Sequence, residues 1–148
     1  MHAVLAEMLK LWPNDTAVQN DEAYTRLLLL RQAGTEHRSQ SSDTLAEAAA
    51  IEQTAAALVE REPASLPHRT LLALARLLQN KAAEALAVYE KVQITRQALT
   101  PSALAVHAAV LAANGNSVDA RTEANQVPAD TLLPEEHALI ADLLEPQT

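Results

Sequence analysis

Residues 71–92, LLALARLLQNKAAEALAVYEKV, can be laid on the stretch that follows with one constant shift. Ala73, Glu84, Ala85 and Val92 fall on Ala108, Asp119, Ala120 and Val127, each pair 35 residues apart. One offset serves both helical patterns of the segment, so the repeating unit is the pair and not the single helix. Self-similarity at such a period marks stacked units, none of which can bury its apolar face alone. Upstream, the helix ends MLKLWP and LVEREP also match, with 50 residues from Pro13 to Pro63 because a long polar stretch intervenes.

Composition says which unit repeats. Of the 148 residues 49% are apolar, yet Phe is absent and Trp12, Tyr24 and Tyr89 are the only aromatics, so alanine and leucine must fill the interior. Enrichment in Ala, Leu, Glu, Arg and Gln, with only two glycines and little Val/Ile/Thr alternation, predicts helix nearly everywhere. Small residues where two helices cross permit close backbone approach. The expected class is all-α, with about eight helices joined by short connections.

Punctuation places those helices. Pro13 stops the first, and NDTAVQND caps a second from about Asp21 to Ala33 that ends at Gly34. GTEHRSQSSD is the one long polar loop; after it Thr44 and Glu47 have capping-box spacing for an Ala-rich helix ending before Pro63. Pro67, Pro101 and Pro134 sit where first-turn prolines are tolerated, because the missing N–H has no partner there. Asn80 and the NGN of residues 114–116 are tight-turn signals. The first helix, with Val4, Leu5, Met8, Leu11 and Trp12 at helical spacing, has no capping residue before it, as a piece of a longer chain would.

On these residues the chain resembles the tetratricopeptide repeats, helix-turn-helix units of about 34 residues. Ala73, Ala85, Tyr89 and Val92 take the small, small, large and small places of the clearest repeat, and Pro63 the proline that closes the one before. Ala108, Ala120, Ala124 and Val127 follow in the next, and NDEAY at residues 20–24 is similar to the start of first helices in many bacterial members. No tryptophan stands near the start of the first helix, Tyr89 has Ala124 as its counterpart, and Arg69 and Arg76 occupy places usually apolar. The resemblance implies one α-α superhelix over residues 1–148, a solenoid whose first helices line a concave groove for an extended peptide or a partner helix. Tyr24, Leu28 and Arg31, then Thr70, Leu74 and Leu77, then Ala105 and Ala109 would face inward. Arg69 and Arg76, one heptad apart on one helical face, could anchor a carboxylate there or snorkel past the core. The Lys/Asn clamp that some members use for chaperone C-termini is not visible.

Other chemistries find little support. The net charge of −8 opposes a nucleic-acid footprint, which needs clustered Lys and Arg. The five histidines, His2, His37, His68, His107 and His137, lack the close spacing of metal ligands. No nucleophile elbow, glycine-rich phosphate loop or paired-acid motif organises the serines and carboxylates. Glu135 and Glu136 open a helix, where acidic groups favour the dipole. The Asn14-Asp15-Thr16 sequon is a chance-level signal. There is no cysteine, no apolar run long enough for a membrane span, and no signal-peptide pattern at the start, so the default compartment is the cytoplasm. The expectation is a non-enzymatic scaffold, without cofactor or metal, that binds a protein or peptide. Its first alternative is a structural segment of a larger helical-repeat protein, with self-association through end helices; a helix-turn-helix regulator is a remote second.

Overall fold

A computed structural model of the chain describes residues 2–36, 42–90 and 99–144. These residues form eight α-helices and no strand: α1 (His2–Leu11), α2 (Thr16–Glu36), α3 (Ser42–Arg61), α4 (Leu66–Leu78), α5 (Ala82–Ala87), α6 (Pro101–Ala113), α7 (Ser117–Ala124) and α8 (Pro134–Ile140). Short 3₁₀ turns at Ala129–Thr131 and Ala141–Leu143 flank α8.

The 35-residue offset reappears in the hydrogen bonds. Asn80 adopts φ +62° and Gly115 φ +84°, the left-handed conformation that closes a helix. Around them Lys81 N–H donates to Arg76 O at 3.0 Å and Asn116 N–H to Leu111 O at 2.9 Å. The N-caps repeat too: Ser65 Oγ accepts from His68 N–H at 3.4 Å, and Thr100 Oγ1 from Ala103 N–H at 3.2 Å. The α4/α5 and α6/α7 pairs are therefore two copies of one hairpin. The 50-residue offset upstream is equally literal. Trp12 N–H bonds Met8 O and Glu62 N–H bonds Leu58 O, while the side chains of Gln19 and Arg69 reach back to the carbonyls of Pro13 and Pro63.

Alanine burial explains how the hairpins close. Ala73, Ala85, Ala108, Ala120 and Ala124 have no exposed surface, so each crossing is filled by a methyl group and the backbones come together. Tyr89 and Val127, at the larger places, are buried as well; Val92 lies outside the described residues. Helix α4 is central, packing on α2, α3, α5 and α6, and α6 in turn packs on α7 and α8. Helix α8 also reaches α2.

Two boundaries differ from the expected ones. Helix α2 begins at Thr16 because Asp15 Oδ1 accepts from Val18 N–H at 3.1 Å and caps it there. It runs through Gly34 to Glu36, since an interior glycine costs a helix only about 1 kcal/mol relative to alanine. Helix α3 begins at Ser42, which places Thr44 and Glu47 inside its first two turns and not at a capping box. Residues 37–41 of the expected loop lie outside the described ones.

Candidate functional site

Three first helices, α2, α4 and α6, bring their N-terminal halves to one wall around a cavity of about 320 Å³. Asn20, Asp21 and Tyr24 line it from α2, Pro67 and Thr70 from α4, and Thr100, Ser102 and Ala103 from the start of α6. Pro67 and Ser102 are equivalent positions of the two hairpins, 35 residues apart, so the repeat itself aligns these first turns along one side.

Beside the cavity, α8 closes against α2. Tyr24 donates its hydroxyl proton to Glu136 Oε1 at 2.9 Å, and Glu136 Oε2 accepts from Leu133 N–H at 2.9 Å. Glu136 is 2% exposed, yet both its carboxylate oxygens are bonded, which is the condition for holding a charge out of water. Burial pushes the Tyr24 pKa far up and the Glu136 carboxylate adds to that, with Ser102 pulling weakly the other way. The phenol therefore stays protonated and remains a donor. Farther along, Arg31 Nη2 reaches Ala138 O at 3.4 Å, beside a smaller cavity of about 80 Å³ lined by Leu28, Arg31, Gln32, Pro134, Glu135 and Ala138. Burial lowers the Arg31 pKa, partly offset by Asp142.

The residues proposed from sequence for a groove divide into three groups. Tyr24 and Thr70 line the larger cavity, and Leu28 and Arg31 the seam with α8. Leu74 and Ala105 have no exposed surface; they are core, because neighbouring first helices consume that face in packing. Leu77 and Ala109 are half-buried against the same core.

Arg69 and Arg76 are turned to other work. Arg69 donates from Nε to Pro63 O and from Nη1 to Val88 O, both at 2.8 Å. Arg76 donates to Glu52 Oε1 and Glu84 O, both at 3.1 Å. Each guanidinium satisfies carbonyls at helix ends and staples α4 to its neighbours, as helix C-terminal cations do. Glu52 is the hub of that staple, accepting also from Gln79 at 2.7 Å and Lys81 at 3.1 Å. Burial alone would raise the Glu52 pKa, but the three donors outweigh it and hold the carboxyl below the usual range.

Two histidines are locked inside the packing. His68 bridges Asn20 Oδ1 at 3.1 Å and Glu62 Oε2 at 2.9 Å. His107 Nδ1 meets the buried Glu123 at 2.6 Å, with the Tyr89 ring edge-on at 4.8 Å between centroids. Buried Thr70 Oγ1 and the Tyr89 hydroxyl have no partner of hydrogen-bond geometry, though Thr70 is near enough to moderate the upward pull of burial on the Tyr89 pKa. Among the described residues no group of three or more His, Cys, Asp or Glu could hold a metal ion, and no helix is long and apolar enough to cross a membrane.

Sequence reasoning missed Asp21, Asn20, Thr100, Ser102 and Glu136. Thr100 and Ser102 were legible only as helix-start residues, and their meeting with α2 depends on the packing of three separate helices. Comparison with protein-family models, with curated proteins and with solved structures finds no significant match for the chain.

Proposed function

We propose that this chain is a non-enzymatic interaction module of tetratricopeptide type, a short solenoid that takes a peptide or partner helix along the side formed by its first helices. The supporting observation is the cavity of about 320 Å³, whose walls come from α2, α4 and the start of α6 and from none of the second helices. Hairpins repeated at one offset supply aligned first turns, and aligned first turns leave a track with regular spacing. Binding energy on such a track comes from shape and a few anchors, with the net charge of −8 steering the encounter. That charge also favours a protein or peptide over a nucleic acid.

Amide-resonance mapping with degenerate peptide pools tests the reading. Shifts should gather on Asp21, Thr100 and Ser102 and leave Ala83 and Val118, exposed on the second helices, unmoved. Shifts confined to the second helices, or none with any pool, would sink it.

A second reading is favoured by α1, where Val4, Leu11 and Trp12 are 62%, 69% and 54% exposed. That apolar face suits a neighbouring helical layer or a second copy of the chain. Sedimentation velocity decides: a dimer that Trp12→Arg dissolves supports it, and a monomer at all concentrations removes it.

A further inference from the structure

The polar groups around the larger cavity are predominantly acceptors. Its ionisable wall residue besides Tyr24 is the carboxylate Asp21, and neither lysine nor arginine lines it. Tyr24 has given its proton to Glu136, which leaves the phenol oxygen free to accept and places a second carboxylate just behind it. The Asn20 amide N–H is turned toward Asp21 Oδ1 at 3.4 Å. Such a wall is matched by a group with donors and no acceptor, and among side chains those are ammonium and guanidinium.

Helix dipoles do not reverse this preference. The first turns of α4 and α6 bring positive ends to the same wall, each worth about half a charge. Their leading N–H groups are already capped, however: Ser65 Oγ takes His68 N–H and Thr100 Oγ1 takes Ala103 N–H. Prolines 67 and 101 offer no N–H at all.

Size and apolar surface narrow the ligand. A volume of about 320 Å³ stands at the lower limit of small-molecule pockets, which suits a side chain better than a cofactor. The Tyr24 ring, Pro67 and Ala103 provide apolar wall for a methylene stem that keeps its charged head near water. Asp21, exposed at the rim, is where that head would rest.

We infer that the cavity is a subsite for a lysine side chain of a bound peptide, its ammonium meeting Asp21 and the neighbouring hydroxyls while its stem lies on Tyr24 and Pro67. This deepens the groove reading and rests on it.

The test uses the full chain, labelled with nitrogen-15, and three degenerate decapeptide pools that differ only in one fixed central residue: lysine, norleucine or glutamate. The lysine pool should saturate the shifts of Asp21, Thr100 and Ser102 at about tenfold lower concentration than the norleucine pool. Asp21→Asn, a change at an exposed residue whose fold the same spectrum verifies, should bring the two pools to within about twofold, as should high salt. Equal titration by lysine and norleucine, a lysine preference that survives Asp21→Asn, or a preference for glutamate would overturn the subsite and leave the groove standing. No shift with any of the three pools would overturn both.

Discussion

The Tyr24 hydroxyl lies 2.9 Å from Glu136 Oε1, joining the first long helix to the last across 112 residues of chain. Through it α8 is held on α2 as well as on α6, and the row of first helices is closed at one flank. The bond concerns stability and shape together, because Glu136 is buried and its carboxylate can be tolerated there only while bonded.

Tyr24→Phe keeps the ring and removes that donor. It should lower unfolding stability by roughly 1–3 kcal/mol, the cost of a buried acceptor left short of a partner. Chemical denaturation measures it; an unchanged midpoint would show that water replaces the phenol without loss.

Overpacking distinguishes the hairpin crossings from the surface. Ala85 is fully buried and Ala83, two residues earlier, is exposed. Leucine at position 85 should cost about 1–3 kcal/mol, whereas leucine at 83 should leave the thermal midpoint nearly in place. Equal effects at the two positions would mean that the crossing has room to spare.

Gly115 isolates the backbone contribution to the turn. A Cβ built there meets nothing within 4 Å, so the φ of +84° is the one obstacle to a side chain. Gly115→Ala should therefore cost about 1–2 kcal/mol from left-handed geometry alone. Gly115→Asn should cost less, since asparagine already holds the equivalent turn at Asn80. Alanine and asparagine variants of equal stability would contradict the argument.

Glu52 ties stability to acid. Its folded pKa is held below the ordinary 4.5 by Gln79, Lys81 and Arg76 against the opposing effect of burial. A depressed carboxyl contributes stability that is present above 4.5 and lost as pH falls through the lower folded value. Glu52→Gln should thus be less stable than the parent by roughly 1–2 kcal/mol at neutral pH. The gap should narrow steadily once pH drops below that ordinary value, as parallel urea titrations would reveal. A gap that stays constant with pH would assign the hub no ionic role.

Arg69 separates packing from recognition. With both arms of its guanidinium on carbonyls, Arg69→Met should reduce stability by about 1–2 kcal/mol yet leave peptide-pool titrations as they are. Weakened titration without a stability change would return this arginine to the binding face.

How far the sequence reached is best seen at the turns. Asn80 and Gly115, the caps Ser65 and Thr100, and the alanines at 73, 85, 108 and 120 were all readable, because left-handed φ, end capping and close helix approach are constraints that act within a few residues or repeat with the unit. The periodicity likewise determined an all-helical chain. Only the tertiary structure decided that Glu136 would be buried under Tyr24, that Arg76 would find Glu52, and that Leu74 and Ala105 would have no surface to offer. Each of those outcomes depends on which of several chemically suitable neighbours a long side chain meets. That is set by the angles at which whole helices pack, and no local run of residues carries that information.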